Sequence, residues 1–142
     1  TRCSFCDRDE SIKHLFFGCP LAQGLWRTVE IAFNITPPRS VNTLFGAWLL
    51  GTEPETARQI RVGVCALLWA IWNCRNDVVF NRTTNIHFLQ VLFRATALIR
   101  TWSLLTPTEA RERLVTGSVR WETVARDIFN RFGWRSCNRI GI

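Results

Sequence analysis

Residues 3–20 of the chain, CSFCDRDESIKHLFFGCP, constrain it more than any other stretch. Cys3, Cys6, His14 and Cys19 follow the order Cys-x2-Cys-x7-His-x4-Cys. Three thiols and one imidazole form a complete donor set for a closed, tetrahedral structural zinc site, one ion per chain. The first pair belongs to one tight turn, and His14 and Cys19 bring the chain back to the same ion. No fifth donor stands nearby and no position is held open, so the pattern describes a staple or a recognition element rather than zinc-activated water. A Cys-x-x-Cys by itself also occurs in redox motifs and disulfide frameworks. The His and Cys at short range, the lack of a signal-peptide pattern and a chain able to build its own core favour zinc.

The same stretch carries a family resemblance. With Glu10-Ser11, His14-Leu15-Phe16-Phe17, Cys19-Pro20 and Trp26, it resembles the zinc-binding domain of plant non-LTR (LINE-type) retrotransposon reverse transcriptases. The run Leu68-Trp69-Ala70-Ile71-Trp72-Asn73-Cys74-Arg75-Asn76-Asp77-Val78-Val79-Phe80-Asn81 is similar to the segment that follows that domain, and so is Phe93-Arg94-Ala95-Thr96-Ala97-Leu98-Ile99-Arg100-Thr101-Trp102. The resemblance implies a region lying after the polymerase in a long polyprotein, with the polymerase portion as a partner. It also favours the nucleus over the cytoplasm.

At 142 residues, 47% of them hydrophobic and seven of them Trp, the chain has material for a sizeable core and not for whole-chain disorder. Position 1 is not Met and the metal motif begins at the third residue, so the chain reads as a piece of a longer product. Beyond the four donors, the cysteine usage fits a reducing, intracellular compartment. Cys65 and Cys74, nine apart on one helix, lie on opposite sides, cannot bridge, and are expected to be buried small hydrophobes.

The remaining pattern is helical, with no stretch of strand period. Leu21, Leu25, Val29 and Phe33 recur every fourth residue behind Pro20, which predicts a helix over 20–33 whose face covers Phe16 and Phe17. Pro37-Pro38 ends it. The expected organisation is a metal module over 1–34, a linker over 35–40 and a helical region over 41–142. Within that region, Ser40 caps a short helix through Leu50 with Gly51 as a left-handed stop, and Thr52 or Glu53 opens the longest helix, with Pro54 in its first turn. Val62 to Trp72 is apolar on all sides and predicts a buried central helix. Its eleven residues rise only about 17 Å against a roughly 30 Å hydrocarbon layer, which argues against a membrane span. A helix over 86–105 follows, with a narrow polar stripe of His87, Gln90, Arg94 and Thr101. Then come a short charged helix after Pro107, a break at Thr116-Gly117-Ser118, and a last helix from Val119 to Phe132. Glu122 with Arg126 and Asp127 with Arg131 are placed on that helix's outer side. The fold class expected is mainly α: a small zinc-knuckle-like module followed by a helical bundle or extension.

The chemistry of an enzyme is missing from the pattern. Asp7, Asp9, Asp77 and Asp127 form no adjacent pair of the kind that holds two catalytic metals, and neither phosphate loop nor nucleophile motif is present. No small-molecule substrate is expected. The net charge of +7, from seventeen Arg and one Lys against eleven acids, points to RNA or DNA as partner. Residues 1–19 sum to zero, so the expected contacts lie downstream. They are Arg94 and Arg100, counted as uncompensated on the 86–105 helix, and Arg126, Arg131, Trp134, Arg135 and Arg139 at the C-terminal end. The competing expectation is a zinc-stapled helical scaffold that docks on protein without touching nucleic acid, and a third is a decayed transposon remnant.

Overall fold

The computed structural model describes residues 2–44, 48–80 and 86–132, the side chain of Phe132 excepted. Five α-helices follow a short π-helical turn at His14–Gly18. They are α1 (Pro20–Phe33), α2 (Val41–Leu44), α3 (Pro54–Val79), α4 (Phe88–Ser103) and α5 (Thr108–Phe132). Among the described residues there is no β-strand, only an isolated antiparallel bridge between Arg2 and Asp9. The mainly α class with a Cys-Cys-His-Cys cluster at its start is as the sequence predicts.

Each long helix has a local reason to begin where it does. Pro20 occupies the first position of α1, where its missing N–H has no partner to lose. Leu21, Leu25 and Val29 are buried as their spacing predicts, joined by Ala22, Trp26 and Ala32. The helix stops at Asn34, whose φ of 54° is left-handed, a conformation that Asn tolerates better than most residues. In α3 the cap is Glu53, whose carboxylate accepts from the N–H groups of Glu55 (3.1 Å) and Thr56 (3.0 Å) and from the Thr56 hydroxyl (2.9 Å). The α4 start uses Gln90, whose side-chain oxygen accepts from the His87 N–H at 3.0 Å.

Three expectations are corrected. The helix after Ser40 is described over Val41–Leu44 and does not reach Leu50: Trp48–Leu50 form a turn, and Gly51 does not adopt a left-handed φ. None of its four residues is fully buried, but Leu44 packs against the core, and the Ser40 hydroxyl accepts from the Thr43 N–H at 3.2 Å as the sequence predicts of a cap. The Val62–Trp72 run is buried on one face only. Val64, Ala66, Leu67, Ala70 and Ile71 point inward, while Cys65 is exposed, Trp69 is 51% exposed and Trp72 38%. Cys74 is buried as expected, but Cys65 is not. Finally, Thr116-Gly117-Ser118 does not break the chain: α5 runs unbroken for 25 residues. A helical Gly costs about 1 kcal/mol relative to Ala, less than the packing of this segment returns. Leu114 and Trp121 on either side of it are buried, and Ser118 turns its hydroxyl back to the Val115 carbonyl at 2.7 Å.

α4 packs between α3 and α5, and α1 lies against α5. One hydrophobic core runs from Cys3 and Phe5 through α1 to Trp121 and Ile128. Thr28 of α1 and Trp121 of α5, both buried, are joined by an indole N–H to hydroxyl bond of 2.7 Å. The Pro37-Pro38 stretch therefore separates two lengths of chain but not two cores. No helix among the described residues is long and apolar enough to cross a membrane.

Candidate metal centre

The first two donors are set by a small turn. The Cys3 N–H donates to the Arg8 carbonyl at 2.8 Å, and the Phe5 N–H donates to Cys3 Sγ at 3.4 Å. Phe5 itself is buried, so the turn is pinned to the core as its thiols are presented. The Ser11 hydroxyl accepts from the His14 N–H at 3.0 Å and starts the return strand of the loop.

The second pair depends on the π-turn. Residues five apart on an α-helix point about 140° away from each other, at about 100° per residue. Closing an i→i+5 bond instead sets them about one turn apart. The Cys19 N–H donates to the His14 carbonyl at 2.6 Å, so imidazole and thiol emerge on the same side. Spacing alone predicts that His14 and Cys19 share the ion; it carries no signal for this wider turn. Trp26 holds the turn from behind, stacked on Phe17 at 5.8 Å between centroids and 8° between planes, with its indole N–H on the Phe16 carbonyl at 2.7 Å. Phe16 and Phe17 thus receive the cover from α1 that the sequence predicts.

The four donor atoms lie within 4.8 Å of one another. Sulfurs bound at about 2.3 Å to one tetrahedral ion sit about 3.8 Å apart. Cys3 Sγ and Cys19 Sγ are at 3.8 Å, and Cys6 Sγ and His14 Nε2 at 3.0 Å. Cys3, Cys6 and Cys19 are buried and His14 is half-buried, which leaves little room for water at the centre. The chemistry of the donors fits as well. The bond between the Cys3 and Cys19 sulfurs holds the Cys3 thiol down at about 5, against the opposing effect of burial. Cys19 keeps its proton, its pKa pushed up by that same bond and by burial. The four side chains are thus close enough together to hold one metal ion, through three sulfurs and one imidazole nitrogen.

The loop is tied to the helices at a point that sequence reading missed. Arg75 of α3 grips Glu10 with both arms, Nε to Oε2 at 3.2 Å and an η-nitrogen to Oε1 at 2.9 Å. Its guanidinium also lies 5.0 Å over the Trp72 ring and bonds the Asn76 side-chain oxygen at 3.0 Å. The two partners are 65 residues apart, and no local rule connects them.

No family model, no curated protein and no solved structure matches this chain.

The downstream arginines are placed differently from their expected roles. Arg94 is compensated by Asp77 at 2.9 Å, and Arg100 by Glu122 at 3.0 Å. Arg126 lies 5.0 Å over the Phe93 ring, and Glu122 faces α4, where it also accepts from the Thr96 hydroxyl. Burial raises the Glu122 pKa, and Thr96 and Arg100 outweigh it, so the carboxyl ends below its ordinary value. Arg131 pairs with Asp127 at 3.2 Å as expected, in an exposed i,i+4 geometry worth only a few tenths of a kcal/mol. Trp134, Arg135 and Arg139 lie outside the described residues.

Proposed function

We propose that the chain is a non-catalytic zinc-binding accessory region of a retrotransposon reverse transcriptase, helping to hold template RNA or target DNA for the polymerase. The observation that carries the reading is the closed donor set of Cys3, Cys6, His14 and Cys19. Thiolates with one imidazole suit zinc and not magnesium or calcium, and a four-donor set keeps no site for an activated water. Among the described residues no other group of three or more Cys, His, Asp or Glu side chains converges. The likeness of residues 3–26 to the plant LINE-type domain supports a place in such a polyprotein, and with it the nucleus. The excess of arginine supports nucleic acid as the ligand.

Elemental analysis of protein purified without chelator is expected to find one zinc per chain, and finding none sinks the site. Titration with labelled RNA and duplex DNA at two salt concentrations tests the ligand. Log affinity is expected to fall linearly with log salt, with a slope of about −0.7 per phosphate contact on single strands.

One observation favours a docking role as a second reading. α3 exposes Trp69 and Trp72 on one side, and Arg94, Arg100 and Arg126 are all engaged within the fold. If Trp69→Ala and Trp72→Ala abolish binding to the polymerase portion and leave RNA affinity unchanged, the chain docks through α3. Unchanged binding to the polymerase removes that reading.

A further inference from the structure

A groove of about 710 Å³ opens beside the metal loop, where the π-turn, α1 and the Pro37-Pro38 stretch meet. Lys13, Arg27 and Arg39 line it, all three exposed. None of the three has an ion-pair or hydrogen-bond partner among the described residues, in contrast to Arg75, Arg94 and Arg100. The single acid on its lining is Glu30, so three cations stand against one carboxylate. A second groove, on α5, also holds two such cations, Arg113 and Arg120, but Glu109 and Glu112 balance them. The apolar cleft beside Trp121, which shares Arg113 and Arg120, and a groove lined by Arg58 and Arg61 carry two cations each, so of these grooves the one beside the metal loop gathers the most, three.

The lining also indicates what kind of polyanion fits. Phe17 and Trp26 line the groove but are only 8% and 4% exposed, so they offer a partner protein no aromatic anchor. Gly18 and Gly24 leave parts of the wall without side chains, which lets a backbone come close. Charge with close approach, and no apolar anchor, is what phosphate contact needs. We infer that this groove is a phosphate-backbone site for nucleic acid, with Lys13, Arg27 and Arg39 as its contacts. The inference rests on the nucleic-acid reading above and moves the contact surface from the downstream arginines to the side of the metal loop. The metal is then a positioning element: it fixes the turn that carries Lys13 and Gly18.

The test compares the whole chain with a Lys13→Gln, Arg27→Gln, Arg39→Gln variant, using labelled oligouridylate and oligothymidylate between about 50 and 200 mM salt. The variant is expected to keep its zinc and its thermal midpoint. It should bind about tenfold more weakly at the low-salt end and lose about two units of salt slope, three contacts at about 0.7 each. An unchanged slope overturns the groove while the nucleic-acid reading stands. No binding by the unmodified chain at low salt overturns both. Displacement of the oligonucleotide by oligoglutamate at equal charge assigns the groove to an acidic protein segment and overturns the inference. Should the triple variant lose zinc, Arg27→Glu, on α1 and outside the metal loop, is expected to lose about 0.7 of slope, one contact, and to weaken binding at low salt, and an unchanged slope there overturns the groove.

Discussion

Cys6 and Glu122 are the residues at which a single atom matters most. Cys6 is buried, and its sulfur meets the His14 ring at 3.0 Å. Serine there offers a poorer ligand in the same space. Cys6→Ser is expected to retain only a small fraction of the metal that the unmodified chain holds and to reduce the thermal midpoint more than any single Arg replacement, because metal binding is coupled to folding. Elemental analysis and thermal melts check both. Glu122 has a folded-state pKa below its ordinary 4.5, so its contribution is fully present above that value and is lost as pH falls through the lowered one. Stability curves from pH 6 to about 3 should therefore fall less steeply for Glu122→Gln than for the unmodified chain, and parallel acid limbs would show that the Thr96 and Arg100 contacts contribute nothing.

Among the elements, α5 departs furthest from its sequence signal. Gly117 flanked by Thr and Ser has the composition of a turn, yet the segment is helical because α1 and α4 pack against it. A Cβ at Gly117 meets only Phe33 Cε1, at 3.7 Å, an ordinary contact. Gly117→Ala is thus expected to stabilise the chain by about 0.5–1 kcal/mol, measured by urea denaturation, through the entropy that glycine loses in a helix. The π-turn makes the converse case. Its sequence, HLFFG, has no feature that selects an i→i+5 bond, and the stacked Trp26 ring and the demands of the donors account for it. α3 shows a limit of apolar runs: VGVCALLWAIW says that a helix is hydrophobic all round, and not that enough neighbours exist to cover it.

At the scale of the whole molecule, the metal loop is bound to the helices by the Glu10–Arg75 pair and by the core they share. Both side chains are less than one-fifth exposed, 14% and 19%, so the pair is shielded from solvent more than a surface bridge is. A double-mutant cycle with Glu10→Gln and Arg75→Gln is expected to give a coupling of about 1–3 kcal/mol, and zinc should leave the single variants faster on challenge with chelator. The continuous core also bears on how far the loop stands alone. A peptide of residues 1–40 is expected to bind zinc through its four donors, yet to show little of α1 by circular dichroism, since α5 covers the face of α1 that holds Thr28 and Val29. Full helicity in that peptide would mean that the linker does separate two folding units.

What the sequence determined by itself lies within short range. The four donors, the helix of Leu21, Leu25 and Val29, the Pro54 start of α3 and the Asp127–Arg131 pair all follow from spacings of at most a few turns, where backbone geometry dictates which residues meet. Only the tertiary structure decided which charges are left over. Arg94, Arg100 and Arg75 find their acids 17, 22 and 65 residues away, and each pairing depends on how helices pack, which no local period encodes. The same packing leaves Lys13, Arg27 and Arg39 around one groove, three residues from three stretches of a chain whose first nineteen residues sum to no charge.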